Sequence, residues 1–308
     1  MKHFINLRDI PTKELKKIVL DAKKRKNLRK NSNTLDLDKD SPLKGKLLIQ
    51  MFEKTSLRTR LSFSIAIKQL GGGELTLRPD ELHLSKGGES LVDTAKIIST
   101  FGNAFMLRTD SEKKLDILKK HMTIPVINGL SPENHPTQIL SDVFTIEEIK
   151  KKSISKLQIC WIGDSNNVLN SLIEASVKFS FKLNIGCPKK YEPNKSLISW
   201  AKKNKGKIKI FNDSKKAASE SDVVFTDKVI SMNDKVNKAK KLKDFKKFQV
   251  NSDVMKKCKN ALFLHCLPRG PEVSDEVFLG KQSKVWQQAL NRVHVQKSIL
   301  LYCFGKLR

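Results

Sequence analysis

The chain has 308 residues, 39% hydrophobic, and a formal net charge of +28, enough for one large or two ordinary hydrophobic cores. No apolar run is long enough to span a membrane, and the opening residues lack a secretory apolar stretch. The lysines fall in separate clusters at 23–30, 150–156, 202–209 and 235–247 with few aromatics among them, which reads as solvated faces rather than a nucleic-acid surface.

Residues 11–28 read as a lysine-rich amphipathic helix and 31–41 as a polar loop. The strand 46–52 follows, its Leu47-Leu48-Ile49 run typical of a buried parallel strand. After it Leu61, Ile65, Ala66 and Leu70 recur at helical spacing, and Gly71 to Gly73 end that helix. Ser56, Leu57, Arg58 and Thr59 therefore sit where a strand turns into a helix. Backbone N–H groups without helical partners and the positive end of the helix dipole point out there. Two hydroxyls and the forked guanidinium of Arg58 join them, which makes a phosphate cradle without a glycine-rich loop.

A strand at 74–77, a polar loop at 78–90 and a helix at 91–101 come next. The strand 105–107 delivers Arg108 at its C-terminal end, followed by a helix at 111–120 and a strand at 124–128. Pro136 stands at the first position of a helix running to about residue 151, just after His135 and one turn short of Gln138. Strands alternating with helices point to a parallel α/β sheet, whose ligands bind outside the carboxyl ends of the strands. Arg58, Arg108 and His135 all lie on that side.

The second half restarts the pattern. Residues 156–162 are a strand, 163–167 a turn, and 168–179 a helix. The turn lacks G-x-G-x-x-G, so a dinucleotide is not indicated. Further strands fall at 183–186, 208–211, 223–226 and 261–264, and a long helix at 285–301. Cys266 stands at the C-terminal end of its strand, in His265-Cys266-Leu267-Pro268. The five cysteines, Cys160, Cys187, Cys258, Cys266 and Cys303, fit neither a zinc site nor a disulfide ladder, and read as a reduced, cytoplasmic protein with no metal.

Several of these strings resemble the motifs of the aspartate/ornithine transcarbamoylase family. Ser56-Leu57-Arg58-Thr59-Arg60 is similar to its carbamoyl-phosphate motif Ser-Thr-Arg-Thr-Arg, with Leu57 in place of a threonine. His135-Pro136-Thr137-Gln138 matches its His-Pro-Thr-Gln, and His265-Cys266-Leu267-Pro268 its ornithine-type signature. Asp227 to Asn233 resembles the ornithine-type Ser-Met-Gly loop, with Asn233 for glycine, and Leu290-Asn291-Arg292 resembles Glu-Asn-Arg.

The resemblance implies two doubly wound parallel-sheet α/β domains. Residues 1–150 with 285–308 would bind carbamoyl phosphate and 151–284 ornithine, the last helix crossing back to the first domain. It implies carbamoyl transfer to the δ-amine of L-ornithine, without metal or cofactor. Carbamoyl phosphate would meet Ser56, Leu57, Arg58, Thr59, Arg108, His135, Gln138, Cys266, Leu267 and Arg292. His83 or Lys86 would reach it from the neighbouring subunit of a homotrimer, or a multiple of trimers, with shared sites. Asn167, Asp227, Ser231 and Met232 would hold ornithine, and Arg108, His135, Cys266 and Arg292 would carry the chemistry. Another acceptor amine, such as putrescine or an acylated ornithine, would keep the first domain and change the second. A basic binding protein without catalysis would have lost site residues that are all present here.

Overall fold

The computed structural model describes residues 1–78, 88–230, 237–258 and 260–307. The chain divides into two compact units, Met1–Phe144 with Leu290–Arg308, and Thr145–Ala289.

The first unit contains α1 (Thr12–Leu28), β1 (Leu47–Phe52), α2 (Leu57–Gln69), β2 (Gly73–Leu77), α3 (Leu91–Phe101), β3 (Ala104–Arg108), α4 (Glu112–His121) and β4 (Val126–Leu130). Helix α5 (Pro136–Lys150) starts in it. Among the described residues its sheet has the order β2-β1-β3-β4, every pair parallel. The inner strands β1 and β3 are mostly apolar and buried because a parallel sheet is covered on both faces there, whereas the edge strand β2 is partly exposed. Ile49, Met51, Phe105, Leu107 and Val126 supply one core face, against Ile98, Leu115 and Leu118 from the helices.

The winding direction reverses between β1 and β3, so a crevice opens outside the carboxyl ends of those two strands. The loop after β1 carries Ser56 to Thr59, and β3 ends on Arg108. Helix α2 corrects one expectation, because Leu61 is 52% exposed and does not belong to the buried stripe. Phe63, Ala66 and Ile67 form that stripe instead, joined by Thr59 and Ser62. Gly71 has φ +83 and closes the helix, its N–H bonding to Lys68 O. Strand β4 starts two residues later than expected, at Val126. Pro125 has no N–H to give to the ladder, although its carbonyl accepts from Phe105 N.

The second unit holds the rest of α5, then β5 (Gln158–Ile162), α6 (Asn167–Phe179), β6 (Lys182–Gly186), α7 (Lys195–Lys203), β7 (Lys207–Phe211), α8 (Ser214–Ala218), β8 (Val223–Thr226), α9 (Lys238–Phe245), α10 (Ser252–Met255), β9 (Leu262–His265) and α11 (Asp275–Leu279). Helix α12 (Val285–Cys303) begins here and ends in the first unit. The strand order is β7-β6-β5-β8-β9, all parallel, so winding reverses between β5 and β8. Helices α7 to α11 are short or lysine-rich, and the sequence does not set them apart because an apolar period is hard to read over so few residues.

Candidate active site

In the first unit β1 leads through residues 53–56 into α2, whose first residues are Leu57, Arg58 and Thr59. Ser56 is the N-cap residue of α2 by backbone geometry, yet its side chain makes no capping bond. Its Oγ instead accepts from Arg108 Nη1 at 3.1 Å. No serine oxygen therefore covers the N-terminal amides of α2, and a helix start in that state suits an anion.

Glu53, at the root of the same loop, ties the β1 and β3 ends together. Its N–H donates to Arg108 O at 2.9 Å, and its carboxylate accepts from Thr109 Oγ1 at 2.6 Å and Lys114 Nζ at 2.5 Å. The lysine offsets a charge that would otherwise oppose an anion nearby, and the threonine fixes the carboxylate's direction.

Thr59 and Arg292 are both buried. Arg292, on α12, donates from Nη2 to Thr59 Oγ1 at 2.7 Å and from Nη1 to Gln138 Oε1. Gln138 Nε2 donates in turn to Asp142 Oδ1 at 2.8 Å. One guanidinium thus links α2 to α5. The neighbouring Asn291 accepts from Lys26 Nζ at 2.7 Å, which adds α1 to the support.

His135 is buried just ahead of α5, its carbonyl accepting from Gln138 N and Ile139 N. Burial drives its pKa well below the ordinary histidine value, and the guanidiniums of Arg292, Arg108 and Arg58 push it the same way. The ring is therefore neutral at physiological pH, able to offer an N–H without carrying a charge. Leu57 is 70% exposed, and its side chain brings no polar group to the start of α2.

In the second unit, Asp227 follows β8 directly and has two donors. Cys266 Sγ donates to Oδ1 at 3.0 Å and Asn166 Nδ2 to Oδ2 at 2.7 Å. Asn166 also caps α6, its Oδ1 accepting from Val168 N and Leu169 N at 3.0 and 3.1 Å. Sequence reasoning selected Asn167, the first residue of α6. The structure adds Asn166 as the asparagine joined to Asp227. Its place at an N-cap was the available signal, but nothing local announces the partner across the switch point.

The turn carrying Cys266 is fixed from behind. The Leu267–Pro268 bond is cis, and Leu267 has φ +62. Leu267 N donates to His265 Nδ1 at 2.8 Å, so that nitrogen is an acceptor and the ring proton sits on Nε2, 3.0 Å from Glu272 Oε1. Burial alone would raise the Glu272 carboxyl, but hydrogen bonds from His265 and the Gly270 N–H outweigh it and hold it below its ordinary value.

Ser231, Met232 and Asn233, like His83 and Lys86, lie outside the described residues. Among the described residues, no group of three or more His, Cys, Asp or Glu side chains is placed to hold a metal ion.

Residues 2–148 match the carbamoyl-phosphate-binding domain of aspartate/ornithine carbamoyltransferases, and residues 155–303 match the aspartate/ornithine-binding domain. An ornithine carbamoyltransferase of Agrobacterium fabrum is 41% identical over 99% of this chain and 98% of its own. One from Brucella abortus is 42% identical over 98% and 96%. Among solved structures, the ornithine carbamoyltransferase of Pyrococcus furiosus superposes with a TM-score of 0.90 at 37% identity, covering 97% of this chain and 96% of that one. The anabolic enzyme of Campylobacter jejuni does so with 0.88 at 35% identity, covering 99% and 100%.

Proposed function

The chain belongs to the aspartate/ornithine carbamoyltransferase family, and on that premise we propose that it moves a carbamoyl group from carbamoyl phosphate to the δ-amine of L-ornithine, giving L-citrulline and phosphate. The observation that carries the choice of acceptor is the carboxylate of Asp227. It stands at the reversal point of the second sheet, held by Cys266 and Asn166, where a cationic α-amino group would meet it. Full-length identity to relatives named for ornithine points the same way.

In this reading the amides of α2, Ser56, Arg58, Thr59 and Arg108 receive the phosphate. The carbamoyl carbonyl faces Thr59, Arg108 and His135, its amide faces Gln138 and Leu267, and Arg292 reaches the same group. The neutral δ-amine attacks the carbamoyl carbon, and the C–O bond to phosphate breaks. Negative charge on the carbonyl oxygen is met by donors already in place, which is where enzymes gain most from fixed electrostatics. His135 contributes a neutral N–H, and the departing phosphate accepts the proton that the amine releases. Asp227 with Ser231 binds the α-amino group, Met232 packs on the ornithine stem, Asn167 holds the rest of the amino acid, and Cys266 orients the attacking amine. No step calls for a metal or cofactor.

The proposal extends to a cytoplasmic homotrimer, or a multiple of it, serving arginine synthesis. The edge strand β2 and helices α2 and α3 of the first unit leave Leu61, Leu75, Ile97 and Phe101 at least 48% exposed. Such apolar side chains on one unit suit a subunit interface. His83 or Lys86 would then complete a neighbour's phosphate site. Mixing refolded Arg58→Ala and Lys86→Ala subunits, each inactive alone, should restore part of the activity; no recovery in verified mixed trimers removes His83 and Lys86 from the site.

The deciding assay measures citrulline and phosphate formed from carbamoyl phosphate with ornithine, putrescine, acetylornithine and aspartate as rival acceptors. Ornithine should be strongly preferred. A preference for putrescine, which has no α-carboxylate, overturns the reading.

A further inference from the structure

We propose that Lys241 is a positioning residue for the acceptor side of the reaction. It holds the 163–167 turn through Asp164 and so sets where Asn166 meets the carboxylate of Asp227. The inference rests on the reading that the second unit binds ornithine.

The contacts form a continuous line. Lys241 lies on α9 with only 4% of its surface exposed, and its Nζ is 2.6 Å from Asp164 Oδ2. The carbonyl of Asp164 accepts from Trp161 Nε1 at 3.2 Å and from Asn166 N at 3.1 Å. Asn166 then donates to Asp227, which accepts from Cys266. Because the Asn166 oxygen is already committed to capping α6, its amide nitrogen points where the turn sends it.

A second connection runs beside the first. Ser165 Oγ donates to Tyr191 O at 2.5 Å, and Tyr191 OH donates to Asp244 Oδ2 at 3.0 Å, one turn beyond Lys241 on α9. The Tyr191 ring packs on Phe245, with ring centres 4.8 Å apart. Helix α9 thus grips the turn by an ion pair and by an aromatic post. A buried ion pair adds little stability on balance, since desolvation offsets the attraction, but its geometry is exacting. That combination fits a device for placement better than one for stability.

The test uses the full-length protein, with KM measured separately for each substrate. The unmutated enzyme must form citrulline, which is the separate test of the parent reading. Lys241→Met and Asp164→Asn should each raise KM for ornithine by about tenfold, the scale of one hydrogen bond lost or misaligned, with KM for carbamoyl phosphate within about twofold. Lys241→Arg, which keeps the charge pair, should recover most of the loss. Where Lys241→Met does not fold, the near-isosteric Asp164→Asn and the arginine variant decide. An unchanged KM for ornithine in a folded variant overturns the proposal. So does a parallel rise in both KM values, or a fall only in active enzyme, because each is what a merely structural role produces.

Discussion

Arg292 Nη2 lies 2.7 Å from Thr59 Oγ1, a contact between residues 233 positions apart in the chain. The same guanidinium reaches Gln138, so its fork joins α2 to α5. Lysine has one ammonium and cannot span both acceptors with fixed direction. Arg292→Lys is expected to lower kcat by about a hundredfold, the scale of losing one aimed donor. Steady-state kinetics with both substrates saturating checks it; a kcat within a few-fold of the parent removes Arg292 from the chemistry.

Arg58 and Lys54 flank the same cradle but differ in what they offer. Arg58 sits in the first turn of α2, whereas Lys54 precedes the helix. Arg58→Ala should weaken carbamoyl phosphate about a hundredfold, the loss of two charge-assisted hydrogen bonds of roughly 1.5 kcal/mol each. Lys54→Ala should change it little. Calorimetric titration compares the two, and equal losses would sink the cradle assignment.

The burial of His135 has a consequence for stability. Its folded pKa is depressed, while the unfolded chain titrates near the ordinary 6.5. Below that value the unfolded state takes up the proton first, so stability is intact above about pH 6.5 and falls as pH drops. His135→Asn cannot titrate and should lose less stability between pH 7.5 and 5.5. Denaturant unfolding at the two pH values provides the comparison, and identical slopes for both proteins would contradict it.

Lys297 gives the opposite end of the pH scale. It is fully buried on α12, with Nζ 2.9 and 3.0 Å from the two Asp38 oxygens. Burial pulls its pKa down from 10.5 to about 8, with Arg29 and Arg25 adding to the fall and Asp38 opposing it. A base with a depressed folded pKa makes stability rise as pH climbs from about 8 to 10.5, because the unfolded chain holds the proton longer. Lys297→Met should lack this rise. Melting temperatures across that window test it, and a shared profile would show that Lys297 does not titrate there.

Asp227→Asn keeps the shape of the side chain and removes its charge. It should raise KM for ornithine by about tenfold or more, consistent with a lost charge-assisted bond, and leave carbamoyl phosphate nearly unaffected. The ratio of the two KM changes is the measurement, and an equal effect on both substrates would place Asp227 elsewhere.

The strands and the main helices of both units were legible in the chain because parallel strands are continuous apolar runs and their helices repeat every three to four residues. The ends of β1 and β3 were legible too, and with them the place of Arg58 and Arg108. Short-range order determines such features. What the sequence could not yield is partnership. Ser56 looks like a capping serine and instead receives Arg108; Asn166 looks like a cap and both caps and holds Asp227. Lys241 sits in a lysine-rich stretch and is buried on Asp164, 77 residues away. Lysine identity and spacing are the same for a solvated cation and a buried one. Only folding, which withdraws water from some side chains and brings a distant carboxylate to them, decides which is which.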